Sequence, residues 1–277
     1  MEIGKLYICP TPIGNLDDMT IRGVNTLKLV DIVAAEDTRH TVKLLNHFEI
    51  KNKLISYHEH NKKSAGIMLI DKMLEGKNIA LVSDAGMPGI SDPGEDLVKL
   101  CIENDIEVIA LPGASAVVTA LAASGLSTRY FHFEGFLDKQ KKKKNERLDY
   151  LSGLTSTLVF YESPHRLLET LKIFLNVFGN RQMVAARELT KRYEEYVRGT
   201  IEECIEHFNN TGVRGEFVVM VAGNDSIKKE VFDTTVEEHI IQLMSIGLTK
   251  KEAVSEVAKI RKLPKKEVYQ VSIQIKK

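Results

Sequence analysis

The amino-acid sequence predicts an α/β protein: two α/β domains, the first on a parallel sheet and the second on a mixed one, followed by a small helical domain. Three observations predict it. Short apolar, often β-branched runs alternate with amphipathic stretches through the first 115 residues, as buried parallel strands and their crossover helices do. A second series of the same kind begins at about residue 117. From about residue 235 onward the pattern is wholly helical.

In the first series, strands are expected at Leu6–Cys9, Ile32–Ala35, Leu54–Tyr57, Ile79–Val82 and Val108–Leu111, with helices at 19–30, 39–48, 63–75 and 94–104. In the second, strands are expected at Phe131–Phe136, Thr157–Tyr161, Met183–Arg187, Tyr196–Gly199 and Phe217–Val221, with helices at 115–124, 140–152, 165–177 and 201–208. The stretch Gly223–Asp233 is polar and aperiodic, and reads as a linker. Helical patterns follow at 235–246, 249–261 and 264–274. Thr249, with Glu252 three residues on, suits a capping box, and Pro264 suits a first helical turn. The last two helices resemble a helix-turn-helix unit, a pattern also common in small helical domains without nucleic-acid function. The expected domains are 1–115, 116–225 and 228–277.

The chain has 277 residues, 43% hydrophobic and 27% charged, an ordinary balance for a soluble globular protein. It has no apolar run long enough to cross a membrane, and its N-terminus lacks a signal peptide's basic start and apolar core. Its three cysteines, Cys9, Cys101 and Cys204, are odd in number and far apart, which argues against a disulfide framework and for a reducing cytoplasm. Net charge is zero but unevenly spread. Residues 1–115 carry 12 Lys/Arg against 17 Asp/Glu, residues 228–277 carry 11 against 7, and residues 138–147 carry 6 against 2. The run Lys141–Lys144 suits either a solvated helix start or contacts to RNA phosphates.

Glycine and proline cluster after three strands, at Pro10–Leu16, Ser83–Gly94 and Pro112–Ala116. In a parallel sheet these loops share the carboxyl edge, where ligands bind. Any one of them could be a tight turn; three together make a binding cleft, with glycines that let a ligand approach the backbone. The cleft lacks both G-x-x-x-x-G-K-[ST] and a G-x-G-x-x-G after the first strand, so it is not a nucleotide-phosphate site of those types. Asp84, at a strand tip, could accept a hydrogen bond from a ribose or amino group, or face a sulfonium or ammonium.

Eight motifs, in order over about residues 4–223, carry a resemblance: PTPIGNL (10–16), VAAEDTR (33–39), YHEHN (57–61), SDAGMPGISDPG (83–94), PGASA (112–116), FEGFL (133–137), YESPHRL (161–167) and RELTK (187–191). This series resembles the tetrapyrrole methylase superfamily and, within it, the ribosomal RNA small-subunit methyltransferase I branch. The helical tail is similar to that branch's C-terminal extension. The resemblance implies two α/β domains with S-adenosylmethionine between them, a homodimer, and 2′-O-methylation of a cytidine ribose in the decoding centre of small-subunit (16S) rRNA. Met87 departs from relatives that more often carry Thr there.

The glycine-rich edge and the resemblance together assign donor binding to Pro12, Ile13, Gly14, Asp84, Ala85, Gly86, Met87, Gly113, Ser115 and Ala116, with second-domain backbone near Phe160 and Tyr161. For the transfer itself the foremost candidates are Asp37, as a proton acceptor, and Lys191, as a cation, joined by Arg39, Glu59 and Glu188. Asp37 suits a helix cap equally well, and Lys191 equally suits a surface pair with Glu194. His58 and His60 lack the Cys/His companions a zinc site needs, so no metal is expected and they fall to the acceptor side of the cleft. Tyr57, Tyr161 and Arg166 offer stacking surfaces for an RNA loop. The expected partner is small-subunit rRNA or the assembled subunit, with no membrane. Two rival readings remain: a methylase of corrinoid or porphyrin precursors, which would not need the basic loop and tail, and a non-catalytic RNA-binding protein, which would not need the cleft.

Overall fold

A computed structural model of the chain describes residues 2–225, 234–261, 263–273 and 275. The contacts separate it into two compact units, Met1–Asn224 and Asp225–Lys277.

Strands β2 (Ile32–Ala35) and β4 (Ile79–Val82) are buried at every residue, because helices cover both faces of their sheet. With β1 (Leu6–Ile8), β3 (Lys53–Ser56) and β5 (Val108–Ala110) they form a parallel sheet of order β3-β2-β4-β1-β5. Helices α1 (Ile21–Leu29) and α2 (Thr38–His47) bury Leu27 and Leu45 against Val33, Ala80 and Val82 on one face. Helices α3 (Lys62–Leu74) and α4 (Gly94–Glu103) bury Leu69, Met73 and Leu97 against Ile32, Ile79 and Leu81 on the other. Since β1 and β4 are neighbours and parallel, the loops that follow them adjoin.

The second sheet has the order β6-β7-β10-β8-β9, from β6 (Phe131–Phe136), β7 (Thr157–Glu162), β8 (Gln182–Arg187), β9 (Glu195–Thr200) and β10 (Phe217–Val221). Only β6 and β7 run parallel; the other pairs are antiparallel, so the sheet is mixed as expected. One face carries α6 (Lys141–Ser152), α7 (Leu167–Phe178) and α8 (Ile201–Thr211), with the rings of Phe160, Phe174 and Phe178 in contact. The other face is covered by α5 (Ala116–Ser124), whose Val117, Ala120 and Leu121 pack on Val159, Val184, Val218 and Met220. Helix α5 thus leaves the first sheet and completes the core of the second.

The second unit holds α9 (Val236–Ser245), α10 (Lys250–Ile260) and α11 (Lys265–Ile273) around Ile240, Val254, Val257 and Val268. The capping box expected at Thr249 and Glu252 is present, and Thr235 and Glu238 form another. Most of the stretch expected as a linker, 226–233, lies outside the described residues. Helix 165–177 was expected two residues too early: the Ser163 amide donates to the Glu162 carboxylate (2.8 Å), and the chain turns once more before α7 begins. All three cysteines are buried free thiols, and burial alone pushes Cys9 and Cys101 up to about 12. No helix among the described residues is long and apolar enough to cross a membrane.

Candidate functional site

The loops at the carboxyl edge of the first sheet are stitched to one another. Thr11 and Gly86 exchange both backbone hydrogen bonds (2.9 and 3.0 Å), and the buried Thr11 hydroxyl donates to the Ser83 carbonyl (3.1 Å). Gly86 has φ +81°, and a Cβ there would stand 3.3 Å from Ile13 Cγ2, so glycine allows both the turn and the close approach. Asp92 Oδ1 accepts from the amides of Gly89 (2.8 Å) and Gly94 (2.7 Å), folding the long loop back on itself. Asp84 Oδ1 accepts from the Asp37 amide (3.0 Å), tying the end of β4 to the end of β2.

The second sheet supplies the facing wall. At Gly14 a Cβ would meet Lys191 Cγ at 2.5 Å and the Leu189 carbonyl at 2.9 Å, so the β1 loop rests directly on the turn after β8. In that turn Glu188 has φ +50°, and its side chain lies where a side chain on Gly215 would otherwise be. Between the walls is a cleft of about 560 Å³, within the usual range of roughly 300–1,000 Å³ for small-molecule sites. Ile13, Met87, Ala116, Leu189 and Val218 give it an apolar lining, and Glu36, Asp84, Asp92, Glu188 and Lys191 give it charge. Tyr161 forms part of the second wall, its ring 5.0 Å from Phe133 and 5.4 Å from Phe136.

Of the residues the sequence assigned to donor binding, Ile13, Asp84, Ala85, Gly86, Met87, Ser115, Ala116 and Tyr161 line this cleft. Pro12, Gly14 and Gly113 lie in the same loops but outside the lining. Gly113 sits where a Cβ would meet Pro10 at 2.7 Å. Phe160 is 1% exposed and points to the opposite face of β7, since side chains alternate along a strand.

The polar candidates fall apart in space. Lys191 and Glu188 line the cleft; Asp37, Arg39 and Glu59 do not. Asp37 caps α2 through the Arg39 amide (2.8 Å) and holds the Arg39 guanidinium through both carboxylate oxygens (3.0 and 2.7 Å). Those contacts hold its carboxyl well below the usual carboxylate range, and a carboxylate so occupied is a weak base. Glu59 pairs with Lys62 (2.8 Å). Lys191 Nζ contacts Glu188 (3.0 Å) and Glu216 (3.3 Å), so its acidic partners are these two. Glu194, expected as the surface partner, instead accepts from the Thr190 amide (2.6 Å). Partial burial works to lower Lys191's pKa, but the Glu188 and Glu216 carboxylates carry it above its ordinary value.

Two expected stacking surfaces are committed elsewhere. Tyr57 is buried in the first core with its hydroxyl on the Pro93 carbonyl (3.2 Å), and burial pushes it up to about 12. Arg166 donates to the Leu137 carbonyl (3.1 Å) and lies 3.6 Å from Glu162, so it buttresses the wall from behind. Among the described residues no group of three or more His, Cys, Asp or Glu could hold a metal ion.

Glu36 is one of several cleft residues, Asp92 and Glu216 among them, to which the sequence assigned no role. It is half-buried in the lining, and its pKa is raised by burial first and by the Asp84 and Asp92 charges next. The Asp84 amide and His58 act the other way without reversing the shift. Glu36 therefore holds a proton more readily than an ordinary Glu. Glu188 does the opposite: burial works to raise it, but Lys191 and the Glu216 amide pull it down.

Comparison with known proteins returns a family, curated relatives and solved structures. The family model of tetrapyrrole (corrin/porphyrin) methylases matches residues 5–205. The chain is 50% identical over 272 residues to ribosomal RNA small subunit methyltransferase I of Halalkalibacterium halodurans, covering 97% of this chain and 94% of that protein. It is 46% identical over 275 residues to the protein of the same name from Synechocystis, covering 99% of each. Among solved structures it is similar to uroporphyrin-III C-methyltransferase of Thermus thermophilus, at 19% identity and TM-score 0.58, covering 83% of this chain and all of that one. A structure of that enzyme complexed with S-adenyl homocysteine matches at 16% identity and TM-score 0.57, covering 79% of this chain and 97% of that one.

Proposed function

This chain belongs to the tetrapyrrole methylase family, and from that premise we propose that it transfers a methyl group from S-adenosylmethionine to the 2′-hydroxyl of a cytidine in small-subunit rRNA. One observation carries the choice of substrate. The likeness to the small-subunit rRNA methyltransferases extends over 97–99% of the chain, past the end of the family model at residue 205 and into the helical tail. Methylation of a tetrapyrrole precursor gives no account of that tail.

The cleft fits the donor. Its apolar lining from Ile13, Met87 and Ala116 suits an adenine and a thioether, and its acidic residues suit a sulfonium and an ammonium. S-adenosylmethionine brings an already activated methyl group. The chain's own residues must then orient the ribose oxygen and receive its proton. Glu36 receives the proton, since it is in the cleft and has raised proton affinity. Lys191, anchored by Glu188 and Glu216 at the opposite wall, holds the adjacent phosphate.

The reading is tested by supplying radiolabelled donor with unmodified small subunits, naked small-subunit rRNA or a tetrapyrrole precursor. Label in a cytidine ribose is expected; label only in the tetrapyrrole, or none, refutes it. Asp84→Ala should weaken donor binding by roughly 1–3 kcal/mol, because it removes both a cleft carboxylate and the acceptor that ties down the Asp37 amide. Unchanged affinity by calorimetry would remove Asp84 from the donor site.

The enzyme works in the cytoplasm as a homodimer. Sedimentation equilibrium at micromolar concentration should return about twice the 31.1 kDa chain mass, and a monomer would defeat that expectation. The tail's excess of Lys and Arg adds to its hold on RNA.

A further inference from the structure

Outside the cleft, a groove of about 750 Å³ runs between α6 and α7. Lys139, Lys141, Lys144 and Lys172 line it, with the amides of Asn145 and Asn176, against Asp149 and Glu169. We infer that this groove is a track for the phosphodiester backbone of single-stranded RNA, a role that rests on the RNA substrate proposed above.

Three features point to an anion. Half of the ten lysines in residues 1–115 are paired: Lys5, Lys62, Lys72, Lys77 and Lys99 each sit within 3.2 Å of a carboxylate. Among the described residues, Lys139, Lys141 and Lys172 have no carboxylate within 4.0 Å, and Lys144 reaches Glu169 only at 4.0 Å. The groove thus concentrates four cations against two carboxylates, Asp149 and Glu169, and keeps a net positive charge. Secondly, Lys141 to Lys144 occupy the first turn of α6, where the helix dipole disfavours positive charge. That turn holds no acid and Gln140 makes no side-chain cap; the one carboxylate at this helix start is Asp138, which accepts from the Gln140 amide (2.7 Å), against four lysines. An anion laid in the groove relieves both. Thirdly, the groove adjoins the cleft along the chain. Phe136 lines the cleft and Lys139 lines the groove; Pro164 lines the cleft and Glu169, on the first turn of α7, lines the groove. A strand with one nucleotide in the cleft can lay its neighbouring phosphates on these lysines, while the two amides meet sugar and phosphate oxygens. A recessed track with amides suits a chain more than the flat headgroup layer of a membrane.

The test uses the full-length protein with all four lysines changed, Lys139→Gln, Lys141→Gln, Lys144→Gln and Lys172→Gln. A control variant changes Lys5, Lys72, Lys77 and Lys99 to Gln, an equal loss of charge. Affinity for a single-stranded fragment of small-subunit rRNA is measured across a salt series. Donor affinity and methylation kinetics are measured alongside. The groove variant should bind RNA at least tenfold more weakly at low salt, with KM raised, kcat held and donor affinity unchanged. Its salt slope should flatten by about 2–3, since each phosphate contact to a single strand contributes about 0.7. The control should bind as the wild type does. An unchanged slope in the groove variant, or equal flattening in the control, overturns the inference. So does binding of the wild type to anionic lipid vesicles that the groove substitutions abolish while RNA affinity stays intact. If the wild type itself neither binds nor methylates the RNA, the substrate reading fails and the groove inference with it. If the wild type methylates and the groove variant matches it, only the groove inference fails.

Discussion

Glu36→Gln is expected to slow methyl transfer by about 100-fold or more, the usual lower range for losing a positioned proton acceptor, while the fold and donor affinity stay close to wild type. Gln keeps the size of Glu and an oxygen to accept the Asp84 amide, so the stitched loops survive. What it loses is the ability to take a proton in a half-buried place beside Asp84 and Asp92. The direction of the shift also sets a pH dependence. Glu36 must be ionised to accept a proton, and its pKa lies above the ordinary 4.5. The rate should therefore fall as pH drops through that raised value, at a higher pH than an unperturbed Glu would give. Single-turnover methylation of rRNA across pH reads both effects. A wild-type rate in Glu36→Gln would pass the proton to another group, with Glu188 next in place.

Lys191→Ala should cost about 100- to 1,000-fold in methylation rate, the range seen when a preorganised electrostatic contact is removed. The cation is held between Glu188 and Glu216, so its loss also leaves two carboxylates facing each other at the cleft wall. Glu188 is already in the left-handed region, where a non-glycine residue needs its surroundings to hold it, and Lys191 is one of those supports. Lys191→Arg, which keeps a cation on a different fork, should recover only part of the rate. Should Lys191→Ala methylate normally at saturating RNA, the phosphate is held elsewhere.

The strands were legible because burial leaves a local mark. Ile32–Ala35 and Ile79–Val82 are uninterrupted apolar runs, and both are strands at those bounds. The cleft loops were legible for a similar reason, since glycine and proline cluster where chain must turn and pack closely. The chemistry within the loops was less so. Glu36 and Asp37 are adjacent acids, and nothing local says which faces the cleft. Sheet register separates them: Ala35, the last paired residue of β2, lies beside Val82 and Ser56, and the chain beyond sends Glu36 inward and Asp37 onto the helix cap. The partners of Lys191 were hidden for another reason. Glu194 stands at the right spacing, but the left-handed turn at Glu188 brings that acid to the lysine instead, and Glu216 arrives from the start of another strand. Phe160 and Tyr161 differ only by the alternation of a strand.

The position of α5 limits how this protein can be recombined with its relatives. The helix follows β5 directly, yet its inward side chains Val117, Ala120 and Leu121 fill the second sheet's face rather than the first's. A chimera that takes the first lobe from one parent and the second from another must break before α5, within Pro112–Ser115, so that helix and sheet come from the same source. A junction after Ser124 would mate one parent's knobs with the other's holes, and interiors packed to crystal density accommodate such mismatches poorly. The same arrangement makes a fragment ending near Ser124 a poor candidate for independent folding, because its last helix would carry an apolar face with nothing to cover it.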